Sequence, residues 1–393
     1  MGHSRALTGI RAAIPARTAR ANSGQIGPLT PDRPLLDVHQ FVPVIQPLDA
    51  VGNHTLQTHR ALRDAGLRST VWSSVIDPRL HGTARPVGEF HAEPRRKSMS
   101  RVFVYQAASE SNGIVDLLLR QRGGKVISYH NFTPPSYFDA FDDGVAASLR
   151  RGVEEVRRLA AHVKFGIAAS EFNATELRAM GMEDVEVIPP YLGPGLKADP
   201  DEATLEWLDR TRQGTDLLFV GRIVPHKGHV HLVRVLAAIR ATADPQARLF
   251  LVGPPGPRKY MRSLQALAER VVGAGVYLPG PVTDAELAAY YKHADAFVSM
   301  SEHEGFGIPL VEAMRAEIPI VAYDSSAVAE TLGGAGSLVR TTDPVIVAEL
   351  VVRISHDEKL RRELQCRQLN RAAELEAFPR EQRTIEVLQR AAG

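Results

Sequence analysis

The chain has 393 residues, 44% apolar and 23% charged, and its 47 Lys and Arg against 45 Asp and Glu leave a net charge of +2. That balance excludes a protein built to coat nucleic acid, and the composition excludes wholesale disorder, collagen and a coiled-coil rod. The single cysteine, Cys366, excludes an intrachain disulfide framework and any multi-cysteine zinc or iron–sulfur site, so a reducing, cytoplasmic setting is the simplest expectation.

The first 33 residues carry Arg5, Arg11, Arg17 and Arg20 and no acid before Asp32. They read as a disordered basic extension, with an organelle leader as the alternative, and they lack the apolar core of a secretory signal. From Pro34 onward apolar runs alternate with amphipathic segments. The patterning predicts strands over 35–45 and 69–76 around a helix over 55–65. A polar connection follows over 78–100. A strand over 101–106, a helix over 109–122 and a strand over 125–130 come next. A long helix over 142–162 precedes strands over 165–170 and 185–188, with a helix over 171–180 between them. The segment 188–200 holds Pro189, Pro190, Gly193, Pro194, Gly195 and Pro200 and reads as a linker.

The alternation then restarts. Strands are predicted over 216–221, 247–253, 275–278, 296–300, 318–323 and 336–339, and helices over 228–241 and 259–272. The tail over 343–390 reads as helical, with a break at Pro379. No run reaches the ~18 apolar residues of a membrane span. Strands alternating with helices imply parallel βαβ units in doubly wound sheets. The expected organisation is an extension over 1–33, an N-terminal domain over 34–190, a C-terminal domain over 191–372 and a closing helix over 373–393 that crosses back to the first domain.

The strongest local signal is Ser301-Glu302-His303-Glu304-Gly305-Phe306-Gly307-Ile308-Pro309-Leu310-Val311-Glu312, between a strand and a helix. Pro309 suits a first helical turn. Gly305 and Gly307 let backbone N–H groups approach a ligand, and the helix N-terminus favours an anion. Carboxylates at 304 and 312 accept hydrogen bonds from vicinal hydroxyls, so the segment suits a sugar attached to phosphate. The second signal is Gly221-Arg222-Ile223-Val224-Pro225-His226-Lys227-Gly228. Its two cations can hold both phosphates of a pyrophosphate. Taken alone, it reads equally well as a solvated turn. It is neither a Walker A loop nor a dinucleotide fingerprint.

Together, Gly221-Arg222…Lys227-Gly228 and Glu304…Glu312 resemble the donor site of the family-4 glycosyltransferases. These are retaining, nucleotide-sugar-dependent enzymes of the α/β GT-B fold, with two facing Rossmann-like domains and a cleft between them. The resemblance runs from about Leu35 to the C-terminal helices and is tightest over 216–332. It implies that Arg222 and Lys227 bind the donor diphosphate and stabilise its developing charge. Glu304 would hold sugar hydroxyls, assisted by the backbone of Gly305, Phe306, Gly307 and Ile308, and Glu312 the ribose. Val282 would contact the base, Gly253 would leave room for the nucleotide, and Gly221 belongs to the same donor loop. His130, in Tyr129-His130-Asn131-Phe132, would lie near the reacting sugar, although a histidine satisfied at the sheet edge is a close alternative. Gly52 and Asn53 suit the family's loop near diphosphate and acceptor, where Leu48 departs from the glycine-rich pattern.

The implied activity is transfer of a hexose-type sugar from a UDP or GDP sugar to an acceptor hydroxyl with the anomeric configuration kept. The acceptor could be a lipid-linked or cell-envelope glycan or a small metabolite. No cofactor, metal or nucleic-acid partner is expected, the nucleoside-diphosphate sugar being a co-substrate. The alternatives are a GT-B-fold epimerase and a degenerate subunit that binds nucleotide-sugar for a partner. His226, His229 and His231 lack the accompanying ligands of a zinc site. Asp199-Pro200-Asp201 reads as turn chemistry. Arg95-Arg96-Lys97 with Arg101 is a solvated loop or, on the sharper reading, a weak contact with an anionic membrane face. Oligomeric state is left open.

Overall fold

A computed structural model describes residues 35–46, 49–91, 99–192 and 198–393. The basic extension, Leu48, the Arg95-Arg96-Lys97 patch and the middle of the linker, Gly193 to Gly195, lie outside the described residues. From Pro34 the chain is one compact unit built on two parallel sheets.

The first sheet contains β1 (Leu35–Ile45), β2 (Arg68–Ile76), β3 (Ala84–Pro86), β4 (Met99–Ala107), β5 (Gly124–Tyr129), β6 (Phe165–Ala168) and β7 (Asp184–Val187). Its order is β3-β2-β1-β4-β5-β6-β7. The second contains β8 (Asp216–Val220), β9 (Arg248–Val252), β10 (Val276–Gly280), β11 (Ala296–Ser299), β12 (Ile320–Tyr323) and β13 (Ser337–Val339). Its order is β10-β9-β8-β11-β12-β13. The strands of such sheets are buried on both faces, which is why Leu217 to Val220 and Ile320 to Ala322 are apolar throughout. Apolar layers cover both sides of each sheet, for example Val233, Leu236 and Ile239 against Leu249 and Leu251 in the second. This is the GT-B arrangement of two Rossmann-like domains.

Caps set most helix boundaries. Asp142 accepts from the N–H of Val145 at 3.1 Å, Asp201 from Thr204 at 2.8 Å, and Thr283 forms a capping box with Glu286. The helix predicted over 55–65 begins earlier, at Ala50, because the Asp49 carboxylate accepts from the N–H of Gly52 at 2.9 Å. The helix predicted over 109–122 is confined to Ile114–Leu119. Asn112 and Gly113 both take positive φ, and Ser111 is held by Glu155. The polar connection over 78–100 adds the short edge strand β3.

The helix Glu358–Glu376 runs through position 373, and the chain turns at Phe378-Pro379. The last helix, Arg380–Ala392, then packs on the first sheet. Val387 and Leu388 are buried with Val38, Val102, Val104 and Val126. Arg383 and Arg390 pair with Glu186 and Asp184. No helix among the described residues is long and apolar enough to cross a membrane.

Candidate active site

β8 and β11 are adjacent and parallel, with Leu217 opposite Ala296. The loops that leave their C-terminal ends therefore meet, and this is where ligands of parallel sheets bind. The loop after β8 carries Gly221, Arg222 and Lys227, and the loop after β11 carries residues 301 to 307. The Lys227 ammonium lies 2.6 Å from Glu304 Oε1, although the two are 77 positions apart. Both side chains are less than one-fifth exposed. The N–H of Glu302 donates to the carbonyl of His226 at 2.8 Å, locking one loop to the other. The N–H of Glu304 donates to Ser326 Oγ at 2.7 Å.

Arg222, on the same loop as Lys227, is exposed. Across the cleft, burial raises the pKa of the Asp49 carboxyl, and the Gly52 N–H and the Arg222 charge act against that rise. Gly52 and Asn53 lie in the first turn of the helix Ala50–Asp64. The loop that carries Gly52 and Asn53 thus lies within electrostatic reach of Arg222, while the contacts of Leu48 lie outside the described residues.

Gly253 closes β9 with φ 144°, and a Cβ there would fall 2.2 Å from the Gly221 carbonyl oxygen. The glycine is thus required by backbone packing between two loops of the site. Gly305 faces the other domain. A Cβ there would sit 2.7 Å from Asn131 Cβ. Phe306 is buried with Val311, Leu375 and Ala169 of the N-terminal domain, and Ile308 packs against the same cluster. Gly307 takes φ 92° at the start of the helix Ile308–Arg315. In its first turn Pro309 has no N–H to offer, and the Leu310 N–H donates to the Gly307 carbonyl at 3.0 Å. Glu312 is one turn further, where Tyr291 Oη donates to its carboxylate at 2.9 Å. Burial pushes the Glu312 pKa up. Val282, half-buried after β10, packs against the core of the second domain.

His130 ends β5. Its Nε2 lies 2.7 Å from Gln106 Oε1, and the Gln106 amide nitrogen donates to Gln40 Oε1 at 2.9 Å. The network assigns the ring proton to Nε2 and leaves Nδ1 as the acceptor. Burial drives the His130 pKa well below its ordinary value, so the ring is neutral near pH 7. The His54 ring stands edge-on 4.9 Å away. His130 is thus a neutral hydrogen-bonding ring at the cleft rather than a cation.

Several groups here were not identified from sequence. Asn131, at φ 81°, accepts from His303 across the domains. Ser170 Oγ donates to the Gly305 carbonyl at 2.8 Å. The Glu330 carboxylate accepts from the N–H of Glu171 at 2.8 and 2.9 Å, capping the helix Glu171–Ala179 from the opposite domain. Tyr137 faces Glu302 and its hydroxyl is pushed up to about 12, chiefly by burial. Ser170 is legible as a helix cap, but its partner 135 positions away is not. Among the described residues no group of three or more His, Cys, Asp or Glu side chains is gathered as a metal site.

Residues 209–370 match the family of glycosyl transferases group 1. An MMP alpha-(1->4)-mannosyltransferase of Mycolicibacterium hassiacum is 34% identical over 128 residues, 32% of this chain and 30% of its own. A GDP-mannose-dependent alpha-(1-6)-phosphatidylinositol monomannoside mannosyltransferase of Mycobacterium tuberculosis is 34% identical over 182 residues, 41% of this chain and 46% of its own. The chain thus matches less than half the length of these curated relatives. Anabaena Alr3699/HepE, solved in complex with UDP and glucose, superposes with a TM-score of 0.69 at 17% identity, covering 90% of this chain and all of that one. That likeness is one of fold.

Proposed function

We propose that this chain, whose segment 209–370 belongs to the glycosyl transferases of group 1, moves a sugar from a nucleoside diphosphate to an acceptor hydroxyl with retention of configuration. The observation that carries this reading is the Lys227–Glu304 pair at 2.6 Å, joining the loop after β8, which also carries Arg222, to the loop after β11. It supplies cations for a diphosphate and a carboxylate for sugar hydroxyls within one side-chain length. When donor binds, Lys227 turns from Glu304 to phosphate, and the released carboxylate takes the hydroxyls.

Negative charge builds on the diphosphate oxygen as its bond to the anomeric carbon breaks. Arg222 and Lys227 stabilise that charge. The acceptor hydroxyl attacks from the face the diphosphate leaves, and its proton passes to the departing diphosphate. His130, neutral and with Nδ1 as acceptor, holds a sugar hydroxyl nearby. Glu312 receives the ribose and Val282 the base. With two cations on the phosphates, the reaction needs no divalent metal. UDP or GDP carries a hexose, and the mannosyltransferase relatives favour GDP-mannose as the first donor to test. A lipid-linked acceptor at a membrane face fits the lipid-directed name of the relative from M. tuberculosis.

The test follows nucleoside diphosphate release from GDP-mannose and UDP-glucose with and without a panel of acceptors, with the linkage of any product read by NMR. An α-linked sugar from an α-configured donor supports the reading. A β-linked product, or release of altered sugar without an acceptor, overturns it.

A further inference from the structure

We propose that the N-terminal domain carries a second anion site, remote from the cleft, that binds a phosphomonoester. It stands independently of the transferase reading. A cavity of about 600 Å³ opens on the N-terminal half of β1, β2 and β4, whereas the candidate active site lies at their C-terminal ends. That volume is within the ordinary range for small-molecule sites, roughly 300–1,000 Å³.

The register shows how the cavity is built. Across β2, β1 and β4, Arg68 stands opposite Asp37 and Asp37 opposite Arg101. The next rows on the same face are Thr70–His39–Phe103 and Trp72–Phe41–Tyr105. In a doubly wound parallel sheet these positions are ordinarily apolar and covered by a helix. Here Phe90 covers Phe41, Trp72 and Phe103. The described part of the crossover between β2 and β4 contains only short turns and β3, and Arg68 of the charged row is exposed. A charged row where the fold asks for apolar residues is the kind of local exception that marks a site.

The lining is cationic. Arg63, Arg68, Arg85 and Arg101 meet only Asp37 and Glu89 among the acids there, an excess of two positive charges. Asp37 is already engaged, with His39 Nε2 at 3.3 Å and Arg101 Nε at 3.8 Å. Trp72 Nε1 donates to His39 Nδ1 at 3.0 Å, which places the His39 proton on the side of Asp37. Arg68 and Arg85 are exposed, and Arg85 lies over the Trp72 ring at 5.8 Å. Planar guanidinium groups of this kind bind phosphate oxygens in pairs. The Trp72 ring supplies an apolar wall for the body of the ester.

Trp72 also reports the site. The chain has two tryptophans, Trp72 and Trp207, and Trp207 packs in the other domain against Phe250 and Tyr277. In the full-length Trp207→Phe protein, emission therefore comes from the cavity wall. We expect it to change saturably on titration with glycerol 1-phosphate or inorganic phosphate, and not with sodium chloride at matched ionic strength. Arg68→Glu with Arg85→Glu should weaken the midpoint at least tenfold, whereas Arg222→Ala with Lys227→Ala should leave it unchanged. A parallel titration with phosphatidic acid vesicles separates the sources. Saturation by the soluble esters identifies a free metabolite, and saturation by vesicles alone identifies a lipid headgroup. No change with either, an equal change with chloride, or loss in the donor-loop variant instead overturns the proposal.

Discussion

Arg222 and Lys227 do the same job in the proposed reaction but sit in different surroundings, and substitutions should separate the two effects. Arg222 is exposed, so Arg222→Ala should change stability by no more than about 0.5 kcal/mol. It removes one of two charges facing the leaving group, and turnover should fall roughly 100-fold. Steady-state rates and a melting curve on one preparation check both. Lys227→Ala differs because it strands the largely buried Glu304 carboxylate without its partner. It should lower both turnover and melting temperature, and Lys227→Ala with Glu304→Gln should recover stability without activity.

His54 gives a pH prediction. Burial depresses its pKa to about 4, against about 6.5 in an unfolded chain. Between those values the unfolded state binds the proton and the folded state does not. Stability from this group is therefore complete above about pH 6.5 and falls as the pH drops toward 4, by up to about 1.4 kcal/mol per pH unit. The upward-shifted carboxyls Asp49, Glu176 and Glu312 act in the opposite sense just above pH 4. They are common to wild type and His54→Gln, so the difference between the two unfolding curves reports His54 together with its effect on the neighbouring His130. Equal slopes for both proteins would contradict the assignment.

Helix ends and strand ends are where the two domains meet. Glu330, on the short helix Val328–Leu332, caps the helix Glu171–Ala179 of the other domain. Losing such a cap costs ~1 kcal/mol, and here the loss falls on the closed arrangement of the cleft. Glu330→Ala should raise the donor KM several-fold and increase the radius of gyration by X-ray scattering. Glu330→Gln keeps an acceptor oxygen and should stay near wild type. Unchanged scattering and KM in both variants would remove Glu330 from domain closure.

The same elements show what could be read in advance. The alternation of Leu35–Ile45, Arg68–Ile76 and their successors is a local signal, and the parallel two-domain fold was legible from it. The two loops that meet at Lys227 and Glu304 could each be singled out too, because each lies within a short stretch of chain. The cross-domain partners were not. Asn131 and His303 meet across 172 positions, and Ser170 reaches a carbonyl, which carries no side-chain signature. The early start of the helix Ala50–Asp64 rests on a single cap at Asp49, a residue equally at home in a turn. The charged row Arg68–Asp37–Arg101 exists only once three strands are in register.

At the scale of the molecule, two Rossmann-like domains, with the C-terminal helix packed back on the first, face each other with unlike walls. The C-terminal wall offers Arg222, Lys227 and Glu304, and the N-terminal wall offers neutral His130 and the loop at Gly52 and Asn53. In the proposed reaction side chains meet both phosphate charges, so turnover should persist in excess EDTA. Abolition by EDTA with recovery on adding Mg²⁺ would show that a metal carries part of that charge.

The central claim is that this cleft binds a nucleoside diphosphate through Arg222 and Lys227. Its most direct test is a thermal-shift panel of UDP, GDP, ADP and their sugars on the full-length protein, repeated with Arg222→Ala. A ligand that binds only the folded state stabilises it by ~2.7 kcal/mol at 100 times its dissociation constant. The account predicts a clear upward shift with one base, UDP or GDP, that disappears in the variant. No shift with any nucleotide, or a shift that survives the loss of Arg222 undiminished, would contradict it.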